Sequence, residues 1–205
     1  MHRIFEVGGA RGCMNFPLIL LDFEASSLSD DSYPIEVGVA LALNLGEPIR
    51  VWSSLIQPVR EWTIRHDWDP AAERVHHIPA ALLATGQMSS EVAKALNAII
   101  GQVGHAYCDG GHYDGFWLER LFKAARIEPA FALWDLARLF LLNRTLFHRF
   151  GAILDESVAP HRAGADAARL CAALVRAAHG VSFVDILSVD ADGMAKCLAR
   201  NKNTA

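Results

Sequence analysis

The stretch Leu18-Ile19-Leu20-Leu21-Asp22-Phe23-Glu24 decides how the rest of the chain is interpreted. Its first four residues form a continuous apolar run, which is typical of a central strand buried on both faces of a sheet. Because side chains alternate along a strand, Asp22 and Glu24 point to one face and Phe23 points to the other, into the core. Two carboxylates on one side can share a pair of metal ions about 3.5–4 Å apart. An isolated Asp-x-Glu is also common at ordinary strand ends, so the motif needs support elsewhere.

A second acidic motif follows a short predicted strand, His105-Ala106-Tyr107-Cys108. Asp109-Gly110-Gly111 then indicates a turn, and the apolar spacing beyond it predicts a helix. Tyr113-Asp114 lies in the first turn of that helix, where Asp114 faces the strand ends. Asp109 competes for the same metal role, but we prefer Asp114, because Asp is common at glycine turns for backbone reasons. Helix capping is the alternative role for Asp114, since acids are favoured at helix starts.

The third motif is His161-Arg162-Ala163-Gly164-Ala165-Asp166, at the entry to a helix predicted from Ala163 to about Ala178. Positions five apart on one helix point about 140° away from each other. His161 and Asp166 therefore converge only if His161 lies at the helix entry and leans inward. A histidine there, beside a metal carboxylate, suits a general base that activates water. The alternative is a surface histidine that precedes an amphipathic helix.

The three motifs make sense as one site. Four carboxylates that are brought together repel one another, so divalent cations are needed to neutralise them. Each motif lies at the border of a predicted element, and all of them can face the C-terminal edge of one sheet. Metal-assisted hydrolysis of a phosphodiester is the chemistry that needs this arrangement. We therefore predict a nuclease.

Taken together, the motifs resemble those of the DnaQ-like (DEDD-type, histidine variant) 3'-5' exonuclease family of the ribonuclease H-like superfamily. Asp22 and Glu24 match the first motif, Tyr113-Asp114 matches the second, and His161 with Asp166 matches the third. The resemblance covers roughly residues 17 to 180. It implies an α/β ribonuclease H-like three-layer fold, in which helices flank a central mixed five-stranded sheet that begins with an antiparallel meander.

The resemblance also implies a mechanism. Two Mg2+ or Mn2+ ions are expected on the carboxylates, and His161 is expected to activate water as the general base. The implied metal ligands, which also count as catalytic residues, are Asp22, Glu24, Asp114 and Asp166. The implied substrate contacts are Ser27, Leu28 and His161, with Leu28 as a hydrophobic wedge against the terminal base. The expected partner is the 3' end of single-stranded or frayed DNA or RNA.

Three segments depart from the family pattern. Ser26 and Ser27 follow the first motif where many relatives carry threonines and a glycine. The second motif is preceded by Cys108-Asp109-Gly110-Gly111 instead of Gly-His-Asn. The segment Glu73-Arg74-Val75-His76-His77-Ile78 is similar to the family's His-Gly-Ile, with His77 in place of glycine. No proposed metal ligand is affected, so we expect an active enzyme.

Composition bounds the architecture. The chain has 205 residues, of which 52% are hydrophobic, enough for one domain with a substantial core. We expect a flexible N-terminal extension over 1–16, the exonuclease domain over 17–180 and a C-terminal appendage over 181–205; Met1 and Met14 are both candidate starts. The four cysteines show no metal or disulfide spacing, and no stretch looks like a signal peptide or a membrane span. These features predict a cytoplasmic protein with no membrane partner.

Periodicity and turn residues predict the order of the elements. The strands are expected near 17–24, 34–44, 48–57, 104–108 and 131–134. The helices are expected near 70–77, 79–84, 89–102, 114–125, 135–155 with a break, and from 162 onward.

The net charge of −4 argues against a protein that grips long duplexes, and favours contact with a few terminal nucleotides. Candidate phosphate contacts are Arg120, Lys123, Arg126, Arg144, Arg149 and Arg162. For the first three, a solvated helix face is the alternative. Most of the tryptophans are expected in the core, and Trp62 and Trp68, in an expected polar loop, are the two that could meet substrate.

Two other functions remain open from the sequence. One is a catalytically silent module that keeps the fold to bind nucleic acid or protein, and the other is a small-nucleotide phosphodiesterase. Loss of a carboxylate would favour the silent module, and none is lost. The sequence also leaves a homodimer open.

Overall fold

The computed structural model describes residues 15–65 and 67–202. Residues 1–14 of the predicted extension, with both candidate start methionines, lie outside the described residues. The described part of the chain folds around one mixed sheet of seven strands. They are β1 (Leu18–Ala25), β2 (Pro34–Ala42), β3 (Ile49–Gln57), β4 (Gln87–Met88), β5 (His105–Cys108), β6 (Ala132–Asp135) and β7 (Ile186–Ser188).

The sheet has the order β4-β3-β2-β1-β5-β6, and β7 also pairs with β3. The first three strands form the predicted antiparallel meander, while β5 runs parallel to β1 and β6 runs parallel to β5. The α/β class and the mixed sheet are confirmed. The sheet is wider than the five strands predicted, because β4 and β7 add two short strands that pair parallel to β3.

Seven α-helices accompany the strands in the described residues. They are α1 (Arg60–Thr63), α2 (Pro70–His76), α3 (Ser89–Ile100), α4 (His112–Ala125), α5 (Arg144–Leu154), α6 (Ala163–His179) and α7 (Ala191–Lys202). Short 3-10 helices cover Ala80–Thr85 and Leu136–Phe140. None of the helices in the described part of the chain is long and apolar enough to cross a membrane.

The helices cover both faces of the sheet and so form two cores. Ile19, Leu21 and Phe23 of β1 pack with α3, α4 and α7, whereas Leu18 and Leu20 pack with α5 and α6. The alternation predicted for β1 is therefore correct, and Phe23 is a core residue. Asp22 and Glu24 continue the row of Leu18 and Leu20, so they emerge on the face covered by α6.

The C-terminal residues are built into this layered unit. Ile186 of β7 pairs with Ile49 of β3, and α7 buries Met194 and Leu198 in the core that contains α3. These two apolar residues are spaced i, i+4, which places them on one side of the helix. Residues 186–202 thus contribute to the sheet and to the core, and the boundaries predicted for the exonuclease domain (17–180) and the C-terminal appendage (181–205) stay predictions.

The start of α6 lies directly on the backbone of β2. A Cβ atom built on Gly38 would lie 2.2 Å from the carbonyl carbon of Ala163, and one built on Gly164 would lie 2.8 Å from Cβ of Ser53. Only glycine fits at Gly38, because the obstacle is backbone. Gly38 is also the cross-strand partner of Asp22. This contact therefore brings the helix entry beside the first acidic motif.

We predict that Gly38→Ala lowers the free energy of unfolding by about 1–3 kcal/mol or more, because the added methyl group forces α6 off the sheet. Gly151→Ala in α5 is the matched control. No atom lies within 4 Å of its Cβ position, so alanine should stabilise that helix by about 0.5–1 kcal/mol. Urea unfolding of both variants measures the difference. Equal stability of Gly38→Ala and the wild type would contradict the close contact.

Candidate active site

Two parallel strands and two helices bring acids to one edge of the sheet. Asp22 and Glu24 lie at the C-terminal end of β1, and Asp109 follows the end of β5. Asp114 lies in the first turn of α4, and Asp166 lies in the first turn of α6. The structure therefore brings together all four predicted ligands, and it adds Asp109.

The carboxylates form two groups that share one residue. Ligand oxygens of Asp22, Glu24 and Asp166 all lie within 4.8 Å of one another, and those of Asp22, Asp109 and Asp114 do the same. Asp22 is common to both groups. The donors are all carboxylate oxygens, a set that suits hard cations such as Mg2+ and Mn2+. The residues present thus fit a pair of divalent ions, which the two groups of carboxylates would hold.

Crowding in this cluster disfavours ionisation. Burial, together with the charges of Asp114 and Glu24, raises the pKa of Asp22 well above its usual value. Burial raises the pKa of Glu24 to about 8, with further contributions from Asp166 and Glu36, while Arg162 acts in the opposite direction. Without cations the cluster therefore holds protons near neutral pH, and cations would replace them.

The glycine turn before α4 is shaped around Asp114, which is buried. The backbone N–H of Gly110 donates to Oδ2 of Asp114 at 3.0 Å, and a Cβ atom on Gly110 would lie 2.5 Å from that oxygen. Burial and Asp109 raise the pKa of Asp114 to about 7, while hydrogen bonds from the Gly110 and Phe23 N–H groups and the Cys108 thiol act in the opposite direction. An acid that caps the helix start would make the same contact with Gly110, so the metal role of Asp114 stays a prediction.

His161 stands at the helix entry, as the third motif requires. Its φ of 54° places it in the left-handed region, and the chain reverses there into α6. The N–H of Arg162 donates to Oδ2 of Asp166 at 2.9 Å, which closes the turn. The His161 side chain is exposed, and its imidazole makes no hydrogen bond to another residue of the described chain. It is therefore free to meet water or substrate.

Glu36 is a site residue that the sequence reasoning missed. It is buried on β2 directly opposite Glu24, where two like charges would repel. The Arg162 guanidinium donates to both of its carboxylate oxygens, and the N–H of Ala163 donates to Oε2 at 2.9 Å. Glu36 thus anchors the start of α6 and holds Arg162 next to Glu24. A charged residue within the apolar strand Pro34-Ile35-Glu36-Val37 was the available signal.

A serine-rich loop follows β1 and projects Leu28. The hydroxyls of Ser26, Ser27 and Ser29 all donate to Asp67, at 3.2, 2.7 and 2.9 Å. Leu28 stands between them with 67% of its surface exposed. These three hydrogen bonds, which the sequence reasoning also missed, fix the loop with the apolar Leu28 side chain in solvent. A residue that packs against a terminal base has to lie there. Ser27 is buried and its hydroxyl is engaged, so its contact with substrate stays a prediction.

Several other expectations change. Trp62 lies in α1, buried and stacked on Tyr33 at 5.8 Å, so it is a core residue and not a loop residue that meets substrate. The Trp68 indole N–H donates to Glu73 at 2.7 Å. The Arg120 guanidinium donates to the carbonyls of residues 30, 31 and 32, so it braces the loop after β1.

The segment that is similar to His-Gly-Ile has a local explanation. His77 has a φ of 56° at the C-terminal end of α2, the conformation that glycine adopts most readily. His76 is buried, and its Nδ1 accepts the N–H of Ile78 at 3.0 Å. The left-handed position is thus retained although its residue is histidine.

No protein-family model and no curated protein matches the chain. Among solved structures, it is similar to a full-length 3'-exonuclease, with 14% identity, a TM-score of 0.57 and coverage of 84% of this chain and 62% of that one. It is also similar to a 3'-exonuclease described for 3'-end specific recognition of a histone mRNA stem-loop. The identity is 13%, the TM-score is 0.55, and the match covers 80% of this chain and 65% of that one. Cell-death related nuclease 4 matches with 15% identity, a TM-score of 0.57 and coverage of 78% and 62%.

The chain thus spans 62–65% of the length of these three nucleases. The likeness agrees with the expected ribonuclease H-like arrangement, a mixed central sheet flanked by helices. The acidic cluster lies at the sheet edge where the sequence motifs placed it.

We predict that the metal-free protein loses stability as the pH rises from about 5 to about 8. Folding raises the pKa of Glu24 to about 8 and that of Asp114 to about 7. The same carboxyl groups have ordinary, lower pKa values in the unfolded chain. At a pH between the unfolded and the folded values, the folded state therefore binds more protons than the unfolded chain. The free energy of unfolding therefore falls with pH in this window. Thermal melting with and without Mg2+ or Mn2+ measures the effect.

Added cation should raise the melting temperature more at pH 8 than at pH 5.5, because more of the cluster is then ionised. Asp114→Asn should flatten the pH dependence, since one titrating acid is removed. A metal-free stability that rises steadily across the same window would contradict the assignment of the cluster.

Proposed function

We propose that this protein is a metal-dependent 3'-5' exonuclease that hydrolyses phosphodiester bonds at the 3' ends of single-stranded or frayed DNA or RNA. The observation that carries the proposal is the double carboxylate group around Asp22, with His161 at the adjacent helix entry. A structural ion-pair network would balance its acids with basic residues. Here the acids instead face one another, which suits two cations and a phosphate between them.

The cations supply one part of the chemistry. When bound, they neutralise the carboxylates and stabilise the charge that develops on the scissile phosphate. Asp22, Glu24 and Asp166 would hold one ion, and Asp22 with Asp114 would hold the other, where Asp109 is close enough to assist. The Mg2+ or Mn2+ preference is part of the proposal.

His161 supplies the proton acceptor. Its imidazole takes a proton from the attacking water, whose oxygen forms a bond to phosphorus while the bond from phosphorus to the 3' oxygen of the preceding nucleotide breaks. That oxygen takes a proton from solvent. The products are a nucleoside 5'-monophosphate and a strand that is shorter by one nucleotide and carries a 3' hydroxyl. An exposed imidazole on a reversed entry segment can reach such a water.

The loop after β1 supports the proposed preference for a strand end. Leu28 is held in solvent by the serine contacts with Asp67, and a rigid apolar side chain there can pack against the face of a terminal base. Ser27 would hold the loop and approach the terminal sugar through its backbone. A frayed or single-stranded end exposes such a base, whereas an intact duplex keeps it stacked.

The test is a panel of 3'-labelled DNA, RNA and dinucleotides. We expect release of mononucleotides from the 3' end with Mg2+ or Mn2+, no release in excess chelator, and loss of turnover in Asp22→Asn and Asp114→Asn. Asp109→Asn should be milder, because Asp109 is exposed and belongs to one group alone. Asp190→Asn, which keeps the hydrogen bond from the Gly193 N–H at the start of α7, is the control.

The panel also separates the other functions. Turnover of dinucleotides without turnover of longer strands would identify a small-nucleotide phosphodiesterase. Binding without turnover of any substrate would identify a silent module. Full activity in excess chelator would refute the two-cation mechanism.

His161 has its own test. His161→Asn keeps a residue that tolerates the left-handed conformation and removes the imidazole. The rate should fall by about 10²–10⁴-fold at saturating metal, as for a lost general base. The pH–rate profiles of the variant and the wild type should also differ in shape, because the group proposed to accept the proton has been removed. A variant with the wild-type rate and profile would reduce His161 to a helix-entry residue.

A further inference from the structure

A basic and apolar surface lies beside the site, between the end of β6 and the start of α6. The stretch from residue 136 to residue 154 carries Arg138, Arg144 and Arg149 and no acid, although the whole chain has a net charge of −4. All three arginines are exposed. We name these residues, with Leu141, Leu142, Phe147 and His148, the α5 surface. Its charge is opposite to that of the protein as a whole.

Stability does not account for this surface. Arg144 occupies the first position of α5, where a cation opposes the helix dipole. Leu141 is 76% exposed, Leu142 is 88% exposed and Phe147 is 54% exposed. Leu146 and Phe150 already bury the inner side of α5, so the outer apolar residues are not needed to attach the helix. The exposed side chains of this surface are therefore available to a binding partner.

The side chains have a defined arrangement. Phe147 follows Arg144 by three positions, which puts the two on neighbouring parts of the helix surface, and His148 follows by four. The Phe147 ring meets the Phe140 ring edge-on, with 5.5 Å between centroids and 70° between planes. The Arg138 guanidinium lies 5.4 Å from the centroid of the Trp134 ring. The Arg144 side chain and the oriented Phe147 ring are thus neighbours on the surface of α5.

Both ends of the stretch adjoin the candidate active site. The stretch begins after Asp135. The Oδ2 atom of Asp135 would lie 3.4 Å from a Cβ atom built on Gly111, and Gly111 belongs to the turn that contacts Asp114. The stretch ends at Leu154, whose carbonyl accepts a hydrogen bond from the Arg169 guanidinium at 2.7 Å. Arg169 follows Asp166 by three positions in α6. A strand whose 3' end enters the site can therefore continue onto the α5 surface.

We propose that the α5 surface binds the single-stranded nucleic acid upstream of the 3'-terminal nucleotide, with the arginines on phosphates and Phe147 stacked on a base. This inference rests on the proposed function and adds the path of the strand. Single-strand binding proteins combine cations with aromatic stacking in this way. A second copy of the chain is a poorer occupant, because a two-fold contact would bring the same positive residues together.

The experiment compares a dinucleotide with an oligonucleotide of about ten nucleotides, within the usual length of a single-strand site. We expect Phe147→Ala and Arg144→Gln each to raise KM for the longer substrate by roughly tenfold, as one stacking or phosphate contact is lost. Turnover of the dinucleotide should stay at the wild-type level. Arg144→Gln should also reduce the salt dependence of binding by about one phosphate contact.

Lys94→Glu is the matched control, because Lys94 is exposed on α3, on the opposite face of the sheet. Thermal melting shows whether each variant folds, and Arg144→Gln, which removes a cation from a helix start, should fold at least as well as the wild type. Equal effects on both substrates, or none on either, would overturn the proposal. A changed sedimentation coefficient with unchanged KM would identify a protein interface instead.

Failure of the proposed function gives a different result. If the wild type turns over neither substrate with Mg2+ or Mn2+, the exonuclease proposal fails. Fluorescence anisotropy of the labelled oligonucleotide in chelator still measures binding to the α5 surface. Loss of that binding in Phe147→Ala and Arg144→Gln, but not in Lys94→Glu, supports the surface by itself, and unchanged binding in both variants overturns it.

Discussion

The contact between the first turn of α6 and the backbone of β2 is the constraint on which the site depends. A Cβ atom at Gly38 would overlap the Ala163 backbone, so the helix entry can reach the sheet only because that residue is glycine. Gly38 is paired with Asp22, and this short distance brings Asp166 to the acids of β1. A helix at the usual distance of a packed layer would leave Asp166 outside the cluster.

The same helix entry resolves an electrostatic conflict. Glu24 and Glu36 are directly opposite on neighbouring strands. The Arg162 guanidinium and the N–H of Ala163 both donate hydrogen bonds to Glu36. Glu36 thus uses its charge to fix α6, whereas Glu24 stays available for a cation. The two glutamates have identical chemistry, and only their partners separate a structural role from a proposed metal-binding one. His161 takes its position from this anchored turn.

The surroundings of the site divide into a rigid part and an open part. The loop after β1 is held by three serine hydroxyls on Asp67, and the turn before α4 is closed on Asp114. The stretch that includes α5 leaves its apolar and basic residues in solvent. Such a division agrees with the proposed function, in which one terminal nucleotide is held closely and the rest of the strand is held loosely.

The local patterns were sufficient for β1, for the antiparallel meander and for the three acidic motifs, because alternation, apolar runs and helix-entry residues act over a few positions. They predicted that Asp22 and Glu24 share a face and that Phe23 is buried, as observed. They were insufficient for Trp62, which was assigned to a polar loop. Its neighbours in sequence are polar, but Tyr33 covers it in the fold.

The sequence by itself determined which side chains are candidates for the chemistry and at which ends of which elements they stand. The tertiary structure alone decided that Asp22 is shared by two carboxylate groups, that Asp109 joins one of them, and that Glu36 and Asp67 hold the surrounding turns. It also decided that β7 and α7 belong to the packed unit. The physical reason is distance along the chain: these contacts join residues tens of positions apart, and no local periodicity records which distant residues meet when a sheet edge and its helices pack.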